Sequence, residues 1–165
     1  MTIVVVTTIF VFVKSAKAHK PISPSLEGKL FVALLRLADR LTQDAELLIK
    51  SYGLTATQYN VLRILRGAGP EGLPCQRIGD RMISRDPDMT RLLDRMEKRS
   101  LITRERQSED RRVIKTRITP AGLEILKKLD APVDELHQKQ FRHISAAKLK
   151  ALAEVLEEAF PAAPE

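Results

Sequence analysis

The hydrophobic period changes once in the middle of this chain, and that change leaves little choice of fold. Met89, Leu92, Leu93 and Met96 fall at i, i+3, i+4 and i+7, the spacing of one buried helix face, while Arg91, Asp94, Arg95, Lys98 and Arg99 occupy the other face. Asp86, Pro87 and Asp88 mark where this helix starts: Asp86 as N-cap, Pro87 at the first helical position and Asp88 favoured by the helix dipole. After Leu101 the period drops to two. Residues 102–107 and 112–118 read as strands around the polar turn 108–111. In front of the helix, Pro74 opens a short helix that carries Ile78 and Met82 inward and Arg77, Asp80 and Arg81 outward. Two helices at a tight turn, followed at once by a hairpin, form a winged helix-turn-helix.

The flanks are helical. Leu30, Leu34, Leu37, Leu41 and Leu48 form a stripe with Phe31, Leu35 and Ala38 beside it, an apolar arc wide enough to need more than one neighbour. This helix runs from Leu26 to about Ser51 and stops at Gly53. Thr55 and Gln58 fit a capping box for a second helix with Tyr59, Leu62 and Leu65 on its buried face, broken by residues 67–70. Thr119 and Pro120 cap a helix carrying Ile125, Leu126, Leu129, Val133 and Leu136, expected to be interrupted or kinked near Pro132. Ser145 caps the last, with Leu149, Leu152, Leu156 and Phe160 in its stripe. The fold class is mainly α with a small β-wing, in the order α-α-α-α-β-β-α-α. Residues 55–119 form the winged unit, and residues 25–54 and 120–165 form the helical region around it.

Charge supplies the partner. The chain holds 28 Lys+Arg against 21 Asp+Glu, a net +7, which favours a polyanion. Residues 75–119 hold 13 basic against 8 acidic residues, so +5 of that excess lies in 45 positions. The second helix of such a motif fits a DNA major groove, and its N-terminal side chains meet base edges. The hairpin carries Arg104, Arg106, Arg111, Arg112, Lys115 and Arg117, suited to phosphates and the minor groove.

Other classes find less support. The sequence has no Gly-rich phosphate loop, nucleophile elbow or paired-histidine zinc motif, so no enzyme is expected. His19, His137 and His143 do not share a helix face, and neither a metal nor another cofactor is expected. Cys75, the single cysteine, fits a reducing, cytoplasmic setting and is read as a quiet, partly buried thiol. The first 13 residues, MTIVVVTTIFVFV, are too few to span a bilayer as a helix and lack the basic flank of a signal peptide, so a membrane partner is not expected. They read as an apolar extension, an added edge strand or a weak membrane-associating tail, joined by a linker through residue 24.

Three segments carry a resemblance: Ile83 to Ile102 (ISRDPDMTRLLDRMEKRSLI), Asp110 to Arg112 in the wing, and Ile118 to Gly122 (ITPAG). With them the chain resembles the MarR family of bacterial transcription regulators from about Leu26 to Phe160. The resemblance implies an intertwined homodimer, built from the first and last two helices, that binds a pseudo-palindromic operator in double-stranded DNA, with repression the more usual outcome. It places DNA contacts at Arg77, Arg85, Asp88, Thr90, Arg91, Arg95, Arg104, Arg106, Asp110, Arg111 and Arg112. Asp110 is implied to orient basic side chains, and Arg111 or Arg112 to enter the minor groove. A small aromatic effector is implied in a cleft, with Phe31, Arg36, Tyr52 and Tyr59 as candidate lining residues.

Three residues depart from the family pattern. Ser100 stands where glycine is usual after the reading helix, a position needing positive φ and mildly strained for serine. Asp88, like Asp86, is acidic at a surface that faces phosphates, and a helix cap explains it better than readout of cytosine. An alternative reading is a winged-helix module that binds protein, tethered to a membrane by its N-terminal run; the local +5 argues against it.

Overall fold

The computed structural model describes residues 25–83, 88–106 and 114–159. Its elements are α1 (Leu26–Ser51), α2 (Ala56–Ala68), a 3-10 turn (Gly69–Glu71), β1 (Leu73–Pro74), α3 (Cys75–Asp80), α4 (Met89–Lys98), β2 (Ile102–Arg106), β3 (Ile114–Ile118), α5 (Pro120–Phe141) and α6 (Ala146–Ala159). The expected readings of the N-terminal run, Asp86, Pro87, the wing turn and Phe160 lie outside the described residues.

The chain divides into two units. The described part of the first is the opening half of α1 up to Ala38, a helical segment on which Leu26, Leu30, Phe31, Val32, Leu35 and Leu37 are all exposed. The second unit, from Asp39 onward, holds the core. Val61, Leu62 and Leu65 of α2, Ile78 of α3, Leu92, Leu93 and Met96 of α4, Ile102 of β2, and Leu126 and Leu129 of α5 are nearly or fully buried there. These are the periodic positions of each amphipathic segment, and burying each such side chain contributes about 1.5–3 kcal/mol. Arg66 of α2 and Asp130 of α5 add a bidentate pair at 2.8 and 2.9 Å, both partly exposed, worth about 1 kcal/mol at most.

Local signals set the helix ends. Thr55 and Gln58 form the reciprocal capping box, each side chain accepting a hydrogen bond from the other's backbone N–H. α1 closes at Gly53, whose φ of 75° lets the chain reverse. Thr119 accepts the Gly122 N–H at the start of α5, as expected. Gly122 is needed there for a second reason: a Cβ would stand 2.5 Å from the Leu101 carbonyl oxygen.

Three details differ from the sequence reading. Pro74 opens α3 as its N-cap, but it also ends a two-residue strand, β1, that the sequence reading did not include; β1 pairs antiparallel with β3 to make a sheet of order β1-β3-β2. Its φ of −63° and ψ of 150° are extended, and on an edge strand its missing N–H costs no ladder bond. The cap of α4 is Asp88, not Asp86, and the helix starts at Met89 rather than Pro87. Asp88 takes this role because its backbone is non-helical and its carboxylate reaches the Arg91 N–H at 3.2 Å. Finally, α5 runs unbroken through Pro132, anchored on both sides of it by buried Leu129 and Val133. Tertiary burial outweighs the lost helix hydrogen bond.

Candidate nucleic-acid interface

α4 stands on the core with Leu92, Leu93 and Met96 beneath it and lifts the opposite face into solvent. Thr90, Arg91, Arg95 and Lys98 are exposed on that raised face. Arg91 and Arg95 lie one turn apart, so their guanidinium groups line the same side. Asp88 ties itself to the first of them, with its carboxylate accepting the Arg91 N–H and pairing with Nε at 3.2 Å. The acid thus caps the helix and orients an arginine whose side chain is 79% exposed. Arg77 is exposed on α3, the helix that braces α4.

The wing cations fall into two groups that the sequence alone did not separate. In the β2–β3 ladder Ile102 faces Ile118, Arg104 faces Thr116 and Arg106 faces Ile114, so these residues share one face of the sheet. Arg104 on that face is half-buried, its Nη2 at 2.5 Å from Asp94 Oδ1 and 2.6 Å from Glu97 Oε2. Its Nε also donates to Glu97 Oε2 at 2.9 Å. These hydrogen bonds, those to Glu97 foremost, hold the guanidinium pKa above its ordinary value. On the other face, Arg117 pairs with Glu105 at 2.6 Å and donates to the Pro70 carbonyl, while Lys115 lies 3.8 Å from Glu71. Arg106, two residues beyond Arg104 in the same strand, is exposed, and its side chain has no ion pair with another described residue. Arg85, Asp110, Arg111 and Arg112 lie outside the described residues.

Two structural groups were missed by sequence reasoning. The sequence places Asp94 only on the charged face of its helix and does not single out Glu97, yet both receive Arg104; the period-two pattern that puts Arg104 on the side of buried Ile102 was the available signal. Arg99, beyond the last turn of α4, donates to the Gly53 carbonyl at 2.9 Å and to Gln58 Oε1 at 3.2 Å, joining the end of the reading helix to the elbow after α1. Ser100 adopts φ 56°, the strained conformation anticipated for it, and its carbonyl accepts the Thr119 hydroxyl at 2.7 Å.

Of the residues considered for an effector, Tyr59 belongs to the core, with Arg63 over its ring at 5.8 Å. Tyr52 is half-buried against the same core, whereas Phe31 and Arg36 are exposed on α1. A cleft of about 310 Å³ elsewhere in the second unit is lined by Asp44, Leu47, Leu136, Lys139, Gln140 and Arg142. Burial pushes the Cys75 thiol pKa up, opposed by the nearby charge of Arg104.

A braced helix with a raised cationic face and a basic hairpin define a winged helix-turn-helix DNA-binding protein, and the comparisons with known proteins agree. Residues 54–114 match the model of the MarR family. The chain is 30% identical over 149 residues to the HTH-type transcriptional repressor IacR of Pseudomonas putida, covering 89% of this chain and 88% of that protein. Among solved structures it is similar to a MarR transcription factor from Planctomyces limnophilus, with 39% identity, a TM-score of 0.64, and 82% and 98% of the two chains covered. It is also similar to the PcaV regulator of Streptomyces coelicolor, solved with its natural ligand, at 26% identity and TM-score 0.62, covering 78% and 92%. The chain belongs to the MarR family of transcriptional regulators. Among the described residues no helix is long and apolar enough to cross a membrane.

Proposed function

We propose that the protein is a cytoplasmic repressor that binds a pseudo-palindromic operator as a homodimer. The observation that carries this reading is the exposed cationic face of α4, with Arg91 and Arg95 raised on a helix whose other side is fully buried. The N-terminal half of α4 enters the major groove, Thr90 and Arg91 reach base edges, and Arg77 and Arg95 grip phosphates. Arg106 leads the wing onto the backbone, with Arg85, Arg111 and Arg112 extending the contact and Asp110 orienting them. Asp88 serves as the cap. Residues 55–119 bind DNA, and residues 25–54 with 120–165 form the dimer.

Exposed apolar side chains support dimerisation: Leu30 and Phe31 on α1, and Leu152, Val155 and Leu156 on α6, are each exposed to solvent. Effector control rests on likeness to a regulator solved with its natural ligand, and half-buried Tyr52 is the aromatic group here best placed to sense one. Such a ligand would shift the population of dimer geometries that fit the operator.

Selection of bound fragments from random duplexes with the purified protein tests the proposal. A two-fold symmetric site with half-sites about 10 bp apart is expected. Binding that is indifferent to salt, or a selected pool with no shared sequence, would sink it.

A further inference from the structure

The three-residue cluster between α4 and the base of the wing has a function of its own. Glu97 uses both carboxylate oxygens on one residue: Oε1 accepts the Arg104 backbone N–H at 3.1 Å, and Oε2 accepts Nε and Nη2 at 2.9 and 2.6 Å. Asp94, one turn earlier on the same helix, takes Nη2 as well. β2 is an edge strand, so its outward N–H groups have no strand to pair with. Glu97 covers one of them and, through the same side chain, grips the strand's guanidinium. The fork geometry of arginine makes this a directional joint, which lysine's point charge does not reproduce.

We infer that the Asp94–Glu97–Arg104 cluster is the joint that holds the wing at a fixed angle to the reading helix, and that Arg104 is a positioning residue which touches no phosphate. To reach DNA, Arg104 would have to leave two carboxylates unpaired at a surface that must approach a polyanion. Held where it is, it neutralises them and aims the strand that carries Arg106 on the same face towards the wing tip. The inference rests on the proposed DNA-binding role for its consequence, though the joint itself can be measured without DNA.

The test uses the full-length protein with Glu97→Gln and Arg104→Lys. In the free protein, amide hydrogen exchange over residues 102–106 is expected to accelerate about tenfold in Glu97→Gln, because a charge-assisted contact to the strand is lost. For operator binding the two roles predict opposite signs. Removing a negative charge beside the DNA should tighten binding if Arg104 is a phosphate contact set free, whereas a loosened joint weakens specific binding about tenfold. Arg104→Lys separates them again: a phosphate contact survives the exchange nearly intact, while the joint loses about tenfold in affinity. Unchanged exchange in Glu97→Gln, tighter operator binding by it, or full affinity in Arg104→Lys would each overturn the joint. Should the wild-type protein bind no duplex at all, the proposed function fails, and the exchange measurement still decides whether the joint exists.

Discussion

α4 and α6 carry the same kind of sequence and meet opposite fates. Both space apolar residues three and four apart. In α4 the pattern ends in Leu92, Leu93 and Met96, each no more than 2% exposed; in α6 it ends in Leu152, Val155 and Leu156, and no residue of the helix is buried. The difference lies in what the rest of the chain places against them. α4 packs against α3 and β2 and its stripe joins the core, so one chain completes its environment. α6 presents an apolar stripe whose Leu152, Val155 and Leu156 stay exposed. A periodic stripe therefore says that a helix will be covered, without saying by whom.

This contrast can be broken at its strong end first. Leu93→Ala in the core of the winged lobe should destabilise it by about 2–5 kcal/mol, measured by denaturant unfolding, because the packed site cannot collapse fully around the cavity. A change within 0.5 kcal/mol would mean that the lobe is not the self-sufficient unit described. Leu156→Asp addresses the other helix. It should leave the lobe's unfolding midpoint nearly unchanged yet convert the dimer to monomer in sedimentation, and lower operator affinity about a hundredfold through loss of paired binding. Retention of a tight dimer would remove α6 from the interface.

Smaller effects sharpen the picture within the lobe. Arg91→Ala should reduce operator affinity about five- to tenfold and flatten the salt dependence by about one ion, which a binding titration against salt would read. Ser100→Gly should stabilise the fold by about 1 kcal/mol, since serine at φ 56° pays a left-handed strain that glycine does not, offset in part by the entropy of the glycine chain. A loss of stability there would show that the serine is held by contacts worth more than its strain. The smallest effect concerns Cys75. Its thiol pKa is raised in the folded state, so this group's contribution is full below the ordinary thiol value of 9.0 and fades as pH rises through the higher folded value. Cys75→Ala should make stability flatter in that alkaline range.

Much of the lobe was legible because its signals are local. The capping box at Thr55 and Gln58, the Gly53 stop and the stripe of α4 each depend on residues close in the chain, while the positive φ at Ser100 was implied by the family resemblance. β1 was not legible, since Leu73 and Pro74 are a strand only by virtue of β3, whose register partners lie 43 and 41 residues away. The described helix α4 starts at Met89, two residues later than expected, with Asp88 as its cap, a candidate the composition did not separate from Asp86.

The candidate interface divides in the same way. By itself the sequence determined that residues 75–119 are basic, that α4 has one apolar and one charged face, and that a hairpin follows, because charge and period are properties of the chain order. Only the tertiary structure decided which cations are committed within the protein. Arg99 reaches Gly53, 46 positions away, and Arg117 reaches Pro70, 47 away, while Arg104 turns back to the helix before it. An arginine's partner is set by which groups come within about 3 Å once the core has packed, and the hydrophobic side chains fix that distance without regard to charge.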